Sequence, residues 1–374
     1  MGTARLLGRA ALTAVVAAEY IATPGSASVT VGGTGVTKTF TVLEMPVAQV
    51  VGSDGATNLY TSLDAAFAAV NGQAGDSVQI KILADVTEEL TADYIFNKSV
   101  TLATDVEGGV TVSLGFKPTW DTGSIIHNGP GKLVIEDDVT ITDLVQLFAG
   151  FGAGGVVDIE GDVTAYQLWA YDGGVVNIKP TAKVVTGYGD GMVKFRYDST
   201  INVTGNGQDE VQFAAGYFSA DYSGAMALNL TNTYVTSAWL RSDATSGSFT
   251  LNLNNAKLVL NGEVGGDLNL SANATNTINM TIDSIIIADS ISNVDVINID
   301  ATGLANSVKV IDYTGSGTMT LAQYATIINV TGGEAYVENN DLWVRAVDPL
   351  APAGSFKVAD GFYQNAATYA AATE

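Results

Sequence analysis

Cysteine is absent from this chain of 374 residues, and histidine occurs only once. The protein therefore has no disulfide bonds or thiol chemistry, and a zinc site built from Cys and His is disfavoured. Lysine and arginine number 16 against 39 acidic residues, which gives a net charge of −23. Because such a surface repels nucleic acid and anionic lipid, we expect no nucleic-acid partner.

Proline is also scarce, at 7 residues, whereas glycine numbers 41 and charged residues make up only 15%. This composition is typical of a turn-rich β protein rather than a disordered one.

Residues 1–27 read as a secretory leader, with Arg5 and Arg9 before the apolar run Ala10–Ala18. The alternative for this segment is an alanine-rich capping helix. Nine apolar residues are too few to span a bilayer, so we expect a secreted, extracellular or cell-surface protein that is not membrane-spanning.

Two nearly identical segments stand at the centre of the chain. Gly154–Ile159 reads GGVVDI, and Gly173–Ile178, 19 residues later, reads GGVVNI. Each predicts a glycine turn followed by a short strand rich in β-branched residues. Self-similarity at about twenty residues, with no helical pattern between the copies, predicts a solenoid in which each repeat forms one coil.

An apolar residue, then Asn or Asp, then another apolar residue recurs through the rest of the chain. We place the successive polar positions at 158, 177, 202, 229, 252, 269 and 298. Their unequal separations favour a parallel β-helix whose turns differ in length. The repeated asparagines have two interpretations: a hydrogen-bonded ladder at a coil corner, or glycosylation acceptors. We favour the ladder, although seven asparagines lie in Asn-x-Ser/Thr sequons: Asn97, Asn202, Asn229, Asn269, Asn273, Asn279 and Asn329.

Leu63–Val70 carries the one strong helical pattern outside the leader. Leu63, Ala66, Phe67 and Val70 have the spacing of one helix face, and Ser62 can cap the first turn. This helix and the alternating strand that follows resemble the opening of pectin-lyase-like right-handed β-helices of bacterial surface proteins, in which such a helix covers the first coil. The predicted fold class is therefore all-β, a right-handed parallel β-helix with a short N-terminal capping helix and extra terminal strands.

The predicted domains are a leader at 1–27, N-terminal strands at 28–58, the β-helix at 59–347, and a linker and tail at 348–374. Within the second segment, two strand-like pieces, Ser28–Val31 and Thr37–Val42, have no obvious place in the stack. We expect them to donate a strand to a neighbouring subunit. The predicted assembly residues are Val29, Val31, Phe40 and Val42. Near the other end, Asp341–Val344 predicts a closing hairpin strand.

The sequence does not favour catalysis. His127 precedes Asn-Gly-Pro, so we predict a surface turn rather than a member of a catalytic triad. Polysaccharide-cleaving β-helices are the enzymatic alternative, because they use clustered carboxylates with a basic residue. The residues available for this are Asp137, Asp138, Asp158, Asp162, Asp190, Lys194, Arg196 and Asp198. The catalytic sequence motifs typical of those enzymes are missing. Solvated surface charge explains these acidic and basic side chains more simply.

Two further sets of residues suggest ligands. The turn 206–210, which reads NGQDE, could supply oxygen ligands to Ca²⁺, although a polar turn explains it as well. Five aromatic residues near the central coils could form a sugar-binding strip, although filling of the core and of the stack is the commoner use: Trp169, Tyr171, Tyr188, Phe195 and Tyr197.

We therefore predict a non-enzymatic, self-assembling subunit of a surface layer, sheath or filament. The alternatives are an adhesin that binds cell-surface glycans and, third, a polysaccharide lyase or hydrolase.

Overall fold

Strict alternation of apolar and polar residues shapes most strands of this protein. In Ser248–Asn254, for example, Phe249, Leu251 and Leu253 are buried, while Asn252 between them faces outward. A strand with this pattern presents one face to a core and the other to solvent. Successive strands repeat the pattern in register, so one continuous core runs along the stack.

The computed structural model describes residues 25–30, 37–42, 45–115, 122–152, 154–187, 191–261, 266–315, 326–346, 356–358 and 361–363. Strands make up 56% and helix 4%, and the strands form a parallel β-solenoid of about nine turns. The predicted all-β solenoid is thus confirmed. A typical turn contributes three strands, one to each of three columns in which strands of successive turns pair in parallel.

The bounds of the strands follow the columns. Column 1, the 13-stranded sheet, contains β3 (Ala48–Gly52), β4 (Thr57–Tyr60), β5 (Ser77–Ile82), β8 (Ser99–Thr104), β11 (Leu133–Ile135), β13 (Val156–Ile159), β15 (Val175–Ile178), β18 (Thr200–Thr204), β21 (Ala225–Thr231), β24 (Ser248–Asn254), β27 (Thr275–Thr281), β30 (Val296–Asp300) and β32 (Ile328–Thr331). Column 2 contains β6 (Val86–Thr87), β9 (Val110–Ser113), the first halves of β12 (Val139–Ala149) and β14 (Val163–Ala170), β16 (Val184–Thr186), β19 (Val211–Ala215), β22 (Tyr234–Ser237), β25 (Lys257–Leu260), β28 (Ile285–Ala288) and β31 (Val308–Tyr313).

Column 3 contains β7 (Tyr94–Phe96), β10 (Ser124–His127), the second halves of β12 and β14, β17 (Met192–Arg196), β20 (Tyr217–Tyr222), β23 (Leu240–Ala244), β26 (Asp267–Asn269) and β29 (Ser290–Ser292). The remaining elements are β1 (Gly25–Thr30), β2 (Thr37–Val42), helix α1 (Leu63–Ala69), a 3₁₀ turn (Val70–Gly72), β33 (Glu334–Glu338), β34 (Asp341–Arg345), β35 (Phe356–Val358) and β36 (Gly361–Tyr363).

Helix α1 begins where the sequence predicts. The Ser62 hydroxyl accepts a hydrogen bond from the Ala65 N–H at 3.1 Å, which satisfies one unpaired donor of the first turn. Leu63 and Phe67 are buried, and the Phe67 ring packs edge-to-face on Tyr94 and Phe96 of the first turns. The helix therefore closes the start of the core.

Antiparallel strands lie at both ends of the parallel stack. At the start, β3 pairs antiparallel with β5 and with β4. At the far end, β34 pairs antiparallel with β31 and β33, which confirms the predicted closing hairpin strand at Asp341–Val344. The chain divides into two compact units, Met1–Pro46 and Val47–Glu374, so β3 and β4 belong to the same unit as the solenoid. In the first unit, β1 and β2 pair with each other in antiparallel register.

The two central repeats occupy equivalent positions. Val157 pairs with Val176 and Ile159 with Ile178, and all four side chains are at most 1% exposed. Replacing Ile178→Ala should leave a cavity and lower the free energy of unfolding by about 2–5 kcal/mol. Val185→Ala, at a side chain that is 41% exposed, should cost no more than about 0.5 kcal/mol. Chemical denaturation measures both, and equal effects would contradict the register.

Candidate functional site

A ladder of amide side chains runs along the outer face of column 1. In each step the Nδ2 of one residue donates to the Oδ1 of its equivalent in the preceding turn, at 2.6–3.1 Å. The members are Asp158, Asn177, Asn202, Asn229, Asn252, Asn279, Asn298 and Asn329. A ladder of this kind satisfies polar groups that are only partly accessible to water.

The ladder corrects two predictions. It lies in the middle of the strands and not at a coil corner, because the asparagines occupy the outward positions of straight, paired strands. The ladder member that follows Asn252 is Asn279. Asn269, which we predicted for this position, belongs to β26 in column 3. Four sequon asparagines, Asn202, Asn229, Asn279 and Asn329, donate ladder hydrogen bonds.

The two ends of the ladder differ. At the first end, the Lys132 Nζ contacts the buried Asp158 carboxylate at 2.8 Å. Burial acts to raise the pKa of Asp158, but hydrogen bonds from Lys132 and Asn177 outweigh it and hold the pKa below its usual range. At the other end, Asn329 is exposed, and no side chain in the described residues donates to its Oδ1. The ladder thus ends in an ion pair on one side and in a free acceptor on the other.

A row of aromatic rings follows the end of column 3, one ring from each of four successive turns. This aromatic strip consists of Phe151, Tyr171, Tyr197 and Tyr222. Consecutive ring centroids are 5.7, 5.4 and 5.4 Å apart. Phe151 is 53% and Tyr222 45% exposed, so the strip lies at the surface. Trp169 lies beside it, with its centroid 6.4 Å from that of Tyr171.

Two rings of the strip are attached to strained backbone. Tyr197 has φ 49° and Tyr222 has φ 68°, in the left-handed region that favours glycine. Every other non-glycine residue with positive φ in the described residues is Asn or Asp, the types that tolerate this region. Each tyrosine costs roughly 1–2 kcal/mol relative to an unstrained residue. Strained positions of this kind concentrate at functional sites.

Positive side chains lie against these rings. The Arg196 guanidinium carbon is 4.9 Å from the centroid of Trp169, 5.7 Å from that of Tyr171 and 4.4 Å from that of Tyr222. The Lys194 Nζ is 4.9 Å from the centroid of Trp169. Cations over aromatic faces are held by the quadrupole of the ring, so the two side chains fix the rings in place.

Asp221 neutralises part of this charge. Its Oδ2 lies 3.0 Å from the Lys194 Nζ and 3.2 Å from the Arg196 Nη2, and its Oδ1 accepts from the Ser219 hydroxyl at 2.6 Å. Burial acts to raise the pKa of Asp221, but hydrogen bonds from Ser219, Lys194 and Arg196 keep the pKa below its usual range. The carboxylate therefore stays ionised beside the two cations.

The five aromatic residues considered for a sugar-binding strip divide between the outer face and the core. Trp169, Tyr171 and Tyr197 are half-buried and pack against other rings outside the core, and their binding of sugar stays a prediction. Phe195 is fully buried and packs against Phe218 and Phe249, as core filling requires. Tyr188 lies outside the described residues.

Sequence reasoning missed Phe151 and Tyr222. A usable signal exists, because Tyr171, Tyr197 and Tyr222 each adjoin an aspartate near the end of a column 3 strand. These aromatic–acidic pairs recur at 26 and 25 residues, which is close to the length of one turn.

The charged residues considered for the enzymatic alternative are dispersed. Asp158 belongs to the ladder in column 1, whereas Lys194 and Arg196 share the outer face of β17 in column 3. Asp162 and Asp198 accept hydrogen bonds from main-chain N–H groups, those of Lys183 and Ala225. Asp137 and Asp138 lie in the turn between β11 and β12, and Asp190 lies outside the described residues.

The turn considered for Ca²⁺ is engaged with other turns. The Asn206 amide donates to the Pro180 carbonyl, and the Gln208 amide donates to the Asp283 carbonyl and to Asn255. In the part of the chain that the structure describes, no group of three or more His, Cys, Asp or Glu side chains is placed to hold a metal ion.

His127 is not in a surface turn, so that prediction was wrong. The side chain is 0% exposed. His127 is the last residue of β10, whose side chains are all buried, and the glycine turn begins only after it. Its Nδ1 accepts from the Val156 N–H at 3.1 Å, which leaves the proton on Nε2, where it is donated to the Lys98 carbonyl at 3.2 Å. Burial lowers the pKa of His127, and the hydrogen bond to Lys98 opposes this shift.

The predicted assembly residues lie in the first unit. In the β1–β2 pair, Val29 stands opposite Lys38, Phe40 opposite Ala27 and Val42 opposite Gly25. Val31 lies outside the described residues. Their role in assembly stays a prediction.

Comparison with known proteins yields no match: no family model, no curated protein and no solved structure matches the chain. The protein is therefore defined by its fold as a parallel β-solenoid. The structure bears out a β-helix-like solenoid, but no family, relative or solved structure confirms a pectin-lyase-like protein. Within the described residues, no helix is long and apolar enough to cross a membrane.

The buried histidine predicts a pH dependence. Because the pKa of His127 is lowered by folding, the unfolded chain takes up a proton near pH 6.5, and the folded chain takes it up only at a lower pH. The free energy of unfolding should therefore fall between pH 6.5 and 5.5, by at most about 1.4 kcal/mol per pH unit. Thermal unfolding of wild type and of His127→Gln at both pH values measures this.

The variant serves as the control for other titrating groups. Glu136, whose pKa is raised mainly by burial, has the opposite effect on stability, but it is common to both proteins. Subtracting one pH dependence from the other isolates His127. Identical pH dependence in the two proteins would show that His127 is not a buried neutral side chain.

Proposed function

We propose that the protein is an extracellular structural subunit that polymerises end to end into a filament, sheath or layer. The observation that carries the proposal is that both terminal strands of column 1, β4 and β32, are edges. In the described residues, β4 pairs only with β3, and β32 pairs only with β30. Unpaired strand edges recruit further strands unless something covers them.

The two edges are compatible in direction. Since β4 is antiparallel to β3, and β3 is antiparallel to β5, β4 runs parallel to β5 and to the rest of column 1. The β4 strand of one copy can therefore add to β32 of the next as one more parallel strand. Contacts between different surfaces propagate along an axis unless the rotation closes a ring.

The side chains of the two edges also favour contact. Leu59 on β4 is 62% exposed, a large apolar side chain in water. On β32, Ile328 and Val330 are half-buried, and Asn329 presents the free acceptor of the ladder. The first end of the ladder, at Asp158 on β13, lies inside column 1, and the ion pair with Lys132 already satisfies its carboxylate there. A filament would pair groups that a single copy leaves at its ends.

An extracellular location suits the composition. The chain has no cysteine to be oxidised, and its net charge of −23 keeps it soluble and repels nucleic acid. Predicted partners are other copies of the chain, and cell-surface glycans as a second class.

Two variants test the end-to-end contact. Asn329→Lys and Leu59→Lys each place a charge on one edge, which opposes the addition of a strand. Sedimentation velocity of the wild type should show polymers that grow with concentration, whereas each variant alone should stay monomeric. An equimolar mixture should form dimers and nothing larger, because only one competent edge remains on each partner.

The matched control is Thr231→Lys, a substitution at an exposed position on a central strand of the same face, and this variant should polymerise like wild type.

Deleting residues 28–42 separates this mechanism from strand donation. Edge pairing predicts that the deletion variant still polymerises. If the deletion variant does not polymerise, the contact between copies is made by β1 and β2 instead. A wild type that stays monomeric at all concentrations would contradict the structural role itself.

A further inference from the structure

The aromatic strip needs an explanation beyond end-to-end assembly, because it lies along the side of the solenoid. Its rings are not core residues: Phe151 and Tyr222 are about half exposed. The backbone at Tyr197 and Tyr222 adopts a conformation that Asn or Gly would adopt with less strain. Two tyrosines therefore stand where stability alone would favour another residue.

The geometry of the strip indicates a linear, repetitive ligand. One ring comes from each of four successive turns, with centroids 5.4–5.7 Å apart. A polyproline peptide repeats its faces every three residues, or about 9 Å, so it does not match this spacing. Nucleic acid is opposed by the net charge of −23. A polymer of pyranose rings presents an apolar face in every unit, and aromatic side chains with polar tips suit such faces.

The charges beside the strip favour an uncharged polymer. Lys194 and Arg196 are only 15% and 16% exposed, and both are already paired with Asp221. The adjoining Asp172 and Asp198 add negative charge at the same end of column 3. An acidic polysaccharide would approach mainly carboxylates, whereas hydroxyl groups can bond to these carboxylates and to the lysine as donors and acceptors.

We propose that the aromatic strip, with Trp169, Lys194 and Arg196, is a non-catalytic binding site for an uncharged polysaccharide chain lying along the solenoid axis. The juxtaposition of four evenly spaced rings, two of them about half exposed, with two strained tyrosines carries this assignment. The site does not depend on how the ends of the solenoid assemble.

Affinity electrophoresis in native gels tests the site with named polymers. Xylan, glucomannan and hydroxyethyl cellulose represent uncharged chains, and polygalacturonate represents an acidic one. At least one uncharged polymer should retard the wild type, and polygalacturonate should not. Tyr197→Asn and Tyr222→Asn should each weaken retardation by roughly 3- to 10-fold. The half-buried Tyr234, which lies in column 2 under Lys257, provides a matched control as Tyr234→Asn and should bind like wild type.

Stability distinguishes binding from packing. Asn tolerates positive φ, so the two strip variants should keep the melting temperature of the wild type or exceed it by roughly 1–4 °C. A lower melting temperature with unchanged retardation would show that the rings are structural. Retardation by none of the uncharged polymers, or by polygalacturonate alone, would overturn the proposal. So would loss of polymerisation in the tyrosine variants, since the strip would then be a contact between copies.

Discussion

Main-chain hydrogen bonding between successive parallel turns is the constraint on which the rest of this structure depends. Once one strand is in register with the next, every side chain lies over its equivalent one turn away. Inward rows are then largely apolar, as in the row that joins Ile159, Ile178 and Val203. Outward rows are free to repeat a single chemistry, and amides that repeat in this way bond to one another.

The same constraint converts small local features into extended ones. One asparagine or aspartate on each of eight successive column 1 strands becomes a ladder seven steps long, from Asp158 to Asn329. A single aromatic residue at or just after the end of four successive column 3 strands becomes a strip of four rings. In the described residues, the strand at each end of column 1, β4 or β32, pairs on one side only, so its other edge is left unpaired. Side and ends of the solenoid thus offer different surfaces.

How far the sequence predicts this structure depends on how local each signal is. The helix that begins at Leu63 follows from residues a few positions apart. The pairing of Val157 with Val176 follows from two nearly identical segments of sequence. The ladder member at Asn279 could not be chosen over Asn269, because both stand between apolar residues and the turns differ in length. His127 was misplaced for a related reason: a turn-forming Asn-Gly follows it, but burial is set by strands from other turns. The strip joins rings that are 20, 26 and 25 residues apart; the aromatic–acidic pairs hint at this repeat, but the register decides which rings become neighbours.

The central claim is that one parallel stack continues from copy to copy through the edges of column 1. Fibre diffraction from aligned, concentrated wild-type protein tests it most directly. A continuous stack predicts filaments one molecule wide with a strong meridional reflection near 4.8 Å, since the strand spacing would persist across each junction. Isolated particles without filaments, or filaments whose strands run along the axis, would contradict the account.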